Sequence, residues 1–347
     1  MTQVRYYLIV ILLFCTLFAS AQGAMFSQFY AAPLHTNPAM AGTMICGRFA
    51  VNYRSQWSMI PGGSFSSVSA SYDEHIDRLS GALGFIVTNT REGSGAYSTT
   101  TVGAIYSYSF QLTDAISVRT AIQAGFIHRR IDWRDLRFPD QFNLSGFTGQ
   151  ATQEDLPNTP SSRFLEDFSI GFVAYGDRFF AGAALHHISR PDEGFMDVSR
   201  LPVKFTAHAG AVLDLRRGTS RFRDPNTPTI SPNIIFQQQG GITFQQDARE
   251  REARARQINY GVYFNNVIPM MVFGVWYRQT IGFTQPESLT FLVGLRLNSM
   301  RIGYSYDITL SRLRGVSGGS HEVSLAYLLP CRRPRSPRVR MISCPGF

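Results

Sequence analysis

In a chain of 347 residues, only 16% charged, 13% aromatic and with 30 glycines, the balance argues against an ordinary soluble domain, where about 25% of residues carry charge. Beyond the first residues no apolar run reaches the ~20 residues of a membrane-spanning helix, which excludes a helical membrane bundle. The net charge of +9 does not make a nucleic-acid binder, because Arg332, Arg333, Arg335, Arg338 and Arg340 supply five of the positives from an acid-free tail with no stacking motif beside them.

The chain opens with Arg5, an apolar stretch from Tyr6 to Phe18 and the small-x-small run Ala19-Ser20-Ala21. This is the pattern of a secretory signal peptide, residues 1–21, removed on export near Ala21. Its apolar stretch is too short to span a bilayer, and the bulky Phe14 before Cys15 speaks against a lipoprotein site. The leader that follows, residues 22–46, shows no strand alternation, and Asn37-Pro38 and Gly42 impose turns on it. It is expected to run beneath or into the body of the protein as a cap.

From residue 47 to 330 the chain repeats segments of the kind that cross an outer membrane: about 9 to 11 residues with side chains alternating between lipid and lumen. Between Thr100 and Gln111, Val102, Ala104, Tyr106, Tyr108 and Phe110 share one face, and Thr101, Gly103, Ser107, Ser109 and Gln111 the other. The next segment sets Ile116, Val118, Ile122, Ala124 and Phe126 against Ser117, Arg119, Gln123 and Arg129. Only the turn at Thr113-Asp114 separates the two, so they read as a hairpin.

The same reading places strands near 47–54, 64–72, 80–89, 99–111, 116–130, 166–175, 178–188, 203–215, 232–239, 257–265, 270–279, 288–297, 301–309 and 321–329. Gly and β-branched residues interrupt nearly every helical window. The exception is Gln246 to Gln257, a helical turn or a solvated loop, of which the loop is preferred.

With both termini periplasmic, the inner connections 73–79, 112–115, 176–177, 266–269 and 298–300 are short. The outer connections 131–165, 189–202, 240–256 and 310–320 are mostly longer, as in bacterial barrels. A Pro-rich inner connection at 216–231 breaks the rule. A secreted soluble sandwich, which composition alone leaves open, does not predict this alternation. The expected fold is all-β: a transmembrane antiparallel β-barrel of about 14 strands, with a short periplasmic N-terminal leader and a basic C-terminal tail at 331–347.

Ser67, Ser69, Ser71, Ser107, Ser109, Gln123 and Ser324 then point inward, giving a lumen that is polar and not lined by charge. Arg119, Arg129, Arg278, Arg296 and Arg301 accompany them, either to select anions or to brace the barrel against acids such as Asp214, Asp307 and Glu322. Bracing is preferred, because buried charges need partners.

Catalytic motifs are absent: no G-x-S-x-G elbow, no H-E-x-x-H, no Gly-rich phosphate loop before a helix. His186-His187 in a strand is expected to place one ring on each face, which defeats shared metal ligation, and His321 and Glu322 face opposite sides for the same reason. No catalytic, cofactor-binding or metal-binding residue is assigned, and no enzyme or cofactor is expected. Cys331 and Cys344 bracket the tail and are placed to close a small disulfide loop, leaving Cys46 unpaired; an odd thiol is also compatible with an intermolecular bond. Pro334 and Pro337 keep the tail extended, and its five arginines offer a contact for an acidic periplasmic partner or for anionic lipid.

The run Gln28-Phe29-Tyr30-Ala31-Ala32-Pro33-Leu34-His35-Thr36-Asn37-Pro38-Ala39-Met40-Ala41-Gly42, followed by Tyr53-Arg54-Ser55-Gln56-Trp57, resembles the opening signature of the PorP/SprF family of type IX secretion proteins. Ile302-Gly303-Tyr304-Ser305-Tyr306-Asp307 and Gly318-Gly319-Ser320-His321-Glu322-Val323-Ser324-Leu325-Ala326-Tyr327 resemble its closing hairpin. Asp132-Trp133 to Asp140-Gln141 and Gly274-Val275-Trp276-Tyr277-Arg278 are similar as well, so the likeness spans nearly the whole processed chain. Its motif positions are Asn37, Pro38, Gly42, Tyr53, Arg54, Gln56, Trp57, Tyr306, Asp307, His321 and Glu322.

The resemblance implies residence in the outer membrane of a Gram-negative, Bacteroidetes-type cell and a part in type IX secretion and gliding motility. The partners it implies are outer-membrane lipid, a secreted adhesin or the C-terminal domain of a type IX cargo, and periplasmic peptidoglycan-binding or machinery proteins. An SprF-like role, a dedicated barrel for a secreted adhesin, is preferred to a PorP-like one. The alternative from a different class is a porin-like or FadL-like channel for solute diffusion, with Arg119 and Arg129 selecting anions.

Overall fold

A computed structural model describes residues 25–330, except 45, 61, 144–145, 155–159, 196–197, 216–226, 241–254, 282–285 and 312. Fourteen antiparallel strands close into a barrel. They are β1 Arg48–Gln56, β2 Phe65–Ile76, β3 Gly81–Glu92, β4 Tyr97–Gln111, β5 Ser117–Ile131, β6 Ser162–Tyr175 and β7 Phe179–His186. The second half comprises β8 Lys204–Ala211, β9 Thr229–Gln239, β10 Ala255–Asn265, β11 Met271–Thr280, β12 Pro286–Arg296, β13 Met300–Thr309 and β14 Ser320–Leu328. Each pairs with its neighbours in sequence, and β1 closes on β14 from Arg48↔Leu328 to Gln56↔Ser320. An extra two-residue strand, Leu213–Asp214, prolongs β8 past Val212 and re-pairs with Ile230 and Thr229. Closure leaves no unpaired barrel edge, the condition for a sheet in hydrocarbon.

The alternation read from sequence is the alternation of faces. Leu83, Phe85, Ile122, Phe126, Phe291, Val293 and Leu325 stand exposed on the outside, while Ser67, Ser69, Ser71, Ser107, Gln123 and Ser324 are buried inside. Ser109, expected among them, is only half-buried, bonded at the rim to the Ser80 carbonyl. So large an apolar exterior would be costly in water, at about 25 cal/mol per Å², and is the expected surface in lipid.

All fourteen expected strands are present, and the departures are at their ends. β6 starts at Ser162 rather than near 166, pairing with β5 from Arg130↔Ser162 and carrying Phe164 on its outer face. β9 runs back to Thr229 through Pro232, whose missing N–H suggests a strand start in sequence but which faces outward here. β10 begins at Ala255, so residues 255–257 are strand rather than loop; 246–254 lie outside the described residues.

Two rims follow from the topology. β1 begins and β14 ends at the terminal rim, where every connection but the one from β8 to β9 is tight: Thr113 Oγ1 accepts from the Ile116 amide at 3.1 Å, and the Gly176 amide donates to the Phe179 carbonyl at 2.9 Å. At the far rim the 132–161 connection carries a small hairpin, Phe142–Asn143 with Gly146–Phe147. There the 187–203 connection folds inward instead of projecting: Phe195 meets the Tyr97 and Trp133 rings edge-on at 6.4 and 6.0 Å.

Candidate functional site

The leader does not lie beneath the barrel; residues 25–43 fill its lumen. Phe29, Tyr30, Leu34, Ala39, Met40 and Ala41 form the apolar body of a plug, packed on Trp276, Tyr263, Phe180, Ile235, Val272 and Leu292. Phe29 lies 5.0 Å from Trp276, and Tyr30 meets Phe180 edge-on at 5.7 Å and donates to Asn233 Oδ1 at 3.0 Å. These inward aromatics break the polar-lumen expectation, because a lumen filled by protein is a core and takes core residues.

The plug's local shape is written in its prolines and Asn37. Pro33 starts α1 (Pro33–Thr36) and Pro38 starts the following 3-10 turn, positions where a missing N–H costs nothing. Asn37 between them caps the second turn by accepting from the Ala39 amide at 2.9 Å. Its amide nitrogen lies 3.1 and 3.2 Å from the Phe172 and Ala183 carbonyls of β6 and β7, and 3.0 Å from His208 Nε2. Gly171 is the seat for this contact, since a Cβ there would stand 2.2 Å from Asn37 Oδ1.

Ion-paired anchors hold the plug at both ends. Near the terminal rim the Gly42 amide donates to Asp73 at 2.7 Å, and Arg48 binds the same carboxylate through two bonds of 2.9 and 3.1 Å. Gly42 itself sits at φ +69, with Ala82 where a Cβ would be. Arg119 donates to the Ala41 carbonyl, which also accepts from Ser107 at 3.1 Å.

Toward the far rim the Ser27 amide and hydroxyl donate to Glu322 and Asp307, each at 2.6 Å. Arg54 bridges the two acids, 2.6 Å from Asp307 and 3.2 Å from Glu322, and contacts Ser27 Oγ. Arg278 donates to the same hydroxyl at 2.9 Å and lies 3.8 Å from Asp307. The Gln28 side chain accepts from Ser324 at 2.5 Å and donates to Ser305 at 3.2 Å. The segment thus climbs from Gly47, beside the start of β1, to Ser27 at the opposite end of the lumen.

Above the plug a chamber of about 390 Å³ remains. Leu34 and His35 form its floor, Thr88, Thr99 and Gln123 part of one wall, and Phe195 and Leu201 of the inward loop its roof. Arg129 is ion-paired with Glu193 of that loop and donates to the Tyr97 hydroxyl. Burial holds the Glu193 carboxyl above its ordinary value, against the opposing field of Arg129.

The residues singled out in sequence divide cleanly. Asn37, Pro38, Gly42, Arg54, Asp307 and Glu322 meet at the plug. Tyr53 is exposed on the outer face, as is His321, whose Nδ1 lies 2.9 Å from the Tyr304 hydroxyl and whose ring is 4.8 Å from that of Tyr306. Gln56 ends β1, and Trp57 turns the chain at the far rim with φ 54, its amide on the Gly319 carbonyl and its ring edge-on to Phe65 at 5.2 Å. Arg119, Arg129 and Arg278 brace as expected, but on the plug, the inward loop and the Ser27 cluster. Asp214 lies 4.0 Å from Arg178.

Three expectations are corrected. The lumen does carry buried charge, in the two ion-paired anchors. His186 and His187 do not face opposite ways: β7 ends at His186, and φ 59 at His187 turns both rings toward the chamber, where His187 binds Asp167 at 3.0 Å. Among the described residues no cluster of metal-ligating side chains forms. Cys46 is disulfide-bonded rather than unpaired. The Cys331–Cys344 pairing and the tail arginines Arg332, Arg333, Arg335, Arg338 and Arg340 fall outside the described residues.

Sequence reasoning missed Arg48, Asp73, Ser27 and Lys204. Arg48 and Asp73 carry the inward parity of their strands, and that parity is the signal that finds them.

Among known protein families the chain matches the one described as type IX secretion system membrane protein PorP/SprF, over residues 19–327. No curated protein sequence matches it. Among solved structures it is similar to the Pseudomonas putida toluene transporter TodX, with 10% identity, TM-score 0.48 and coverage of 85% of this chain and 93% of that one. It is also similar to the CymD monoaromatic hydrocarbon channel, with 12% identity, TM-score 0.44 and coverage of 90% and 96%. The Acinetobacter baumannii outer membrane protein Omp33 follows with 7% identity, TM-score 0.42 and coverage of 83% and 100%.

Proposed function

This chain belongs to the PorP/SprF family of type IX secretion system membrane proteins, and we propose that it works in the outer membrane as an anchor rather than a conduit. In this reading it assists export or surface retention of a secreted adhesin, the SprF-like role, and touches periplasmic machinery from its terminal rim. The observation that carries it is the filled lumen: residues 25–43 occupy the barrel from Asp73 to the Arg54 cluster, and the 187–203 loop folds over what remains. A diffusion channel needs a wet path, whereas a scaffold benefits from a rigid core.

With the terminal rim periplasmic, the 132–161 connection faces outward and offers exposed Phe142 and Phe147 to an exported partner. The basic tail follows β14 on the periplasmic side, where an acidic protein would meet its five arginines. Affinity purification from detergent-solubilised outer membrane, followed by mass spectrometry, tests the reading. Recovery of an adhesin or its C-terminal domain together with periplasmic machinery is expected, with the periplasmic set lost on deleting residues 331–347. Unchanged recovery from the deletion refutes the tail's part. Stable open-channel currents from the purified barrel in a planar bilayer would instead favour solute diffusion.

A further inference from the structure

We propose that the chamber between the plug and the inward loop is a binding site for a small organic carboxylate whose body carries hydrogen-bonding groups. The site stands apart from the anchoring role, which rests on the plug and the rims. Its volume of about 390 Å³ falls in the ~300–1,000 Å³ range of small-ligand pockets.

Two charges around it have no ion-pair partner among the described residues, the Glu92 carboxylate and the Lys204 ammonium. Arg129 is paired with Glu193, and His187 with Asp167. Glu92 lies between the opposing fields of Arg129 and Glu193 without a direct contact to either. His186 lies 3.4 Å from the Thr36 carbonyl of the plug. Lys204, at the start of β8 and opposite His186 in register, is half-buried and lines the chamber. No carboxylate or carbonyl partners its ammonium among the described residues. A half-buried ammonium without a counter-charge is poorly solvated, and the chamber is its open side. A carboxylate entering from the chamber completes the pair as a charge-assisted hydrogen bond.

The other polar residues that line the chamber set the body of the ligand. Thr99, Thr101 and Gln123 present hydroxyl and amide groups, and Tyr97 with Phe195 supplies an aromatic edge. A sugar acid and the C-terminal end of a short peptide share this chemistry, a carboxylate on a body of hydrogen-bonding groups.

The test uses the full-length barrel purified in detergent, with binding followed by calorimetry and thermal shift. The probes are glucuronate against glucose, and a trialanine peptide with a free C-terminus against its C-terminal amide. At least one acid is expected to bind tenfold or more tightly than its neutral counterpart, and the pair that responds identifies the source. Lys204→Gln should reduce that acid to the level of the neutral probe, with Lys204→Arg restoring part of the affinity. Heat-modifiable gel mobility reports whether each variant folds. Should Lys204→Gln fail to fold, Thr101→Val serves in its place, with weakened binding of the same acid expected. Neutral probes binding as well as acids, no acid binding, or full affinity in whichever of these variants folds overturns the proposal.

Discussion

The cluster around Ser27 and the long 132–161 loop both use arginine against carboxylate, and the two regions differ in everything that decides what such a pair does. In the cluster, Arg54 and Asp307 are 1% and 3% exposed and sit 2.6 Å apart, with Glu322 on the same guanidinium. On the loop, Arg134 is 88% exposed and lies 3.3 Å from Asp132. Water screens the second pair until it contributes almost nothing. It cannot reach the first, where each charge relies on its partners for solvation and the plug's own backbone is one of those partners. Buried pairing here fixes where a segment sits, and exposed pairing decorates a surface.

The largest break in that contrast is expected from Arg54→Ala. It strands Asp307 and Glu322 in the lumen, a loss of about 3–5 kcal/mol for a buried pair that loses one member. The variant should melt well below the parent by heat-modifiable gel mobility, and its plug should become protease-sensitive. A change no larger than that of a surface mutant would mean the cluster does not hold the plug. Gly171→Ala comes next: its new methyl collides with Asn37 Oδ1, and overpacking of this kind costs about 1–3 kcal/mol. Protection of residues 25–43 in hydrogen exchange should fall in that variant while the strands stay protected.

Asn37→Ala should cost about 1–3 kcal/mol, the range for leaving buried partners unsatisfied, and the same exchange measurement should show the loss confined to the plug's middle. At the other extreme, Arg134→Ala on the loop should leave the melting temperature unchanged. The loop does have an acid dependence of its own. Asp140 accepts from the Gln153 amide at 2.6 Å, and that backbone bond, with lesser help from Thr152, holds its carboxyl below the ordinary 3.8. A depressed folded-state value stabilises the loop fully above pH 3.8, and the contribution is lost as pH falls through the lower folded value. Protease cleavage within 132–161 should therefore rise in strong acid in the parent and not in Asp140→Asn.

Legibility followed the range of the interactions involved. The strand pattern of Val102 to Phe110 is a local property, since successive side chains of a strand must face opposite ways, so barrel and strand number were readable from the chain. Ends of strands were less so: Ser162 at the start of β6 and Thr229 before Pro232 are held by pairing with distant strands, which no local pattern records. His187 was misread because one residue in the left-handed region, φ 59, cancels the parity of the strand before it. The candidate site was half-visible. Asn37, Gly42, Arg54, Asp307 and Glu322 stood out as motif positions, but nothing in their spacing joined them.

Taken alone, the order of residues determined an all-β barrel of fourteen strands with an apolar outside and mostly short turns at one rim. Each of those depends on neighbours in sequence and on the solvent a side chain must face. Only the folded molecule decided that the leader fills the lumen, that Trp276 and Phe180 turn inward to meet it, and that Ser27 shares two acids with Arg54. Those contacts join positions up to 296 residues apart, as between Gln28 and Ser324, and no local rule of alternation or turn chemistry reaches that far.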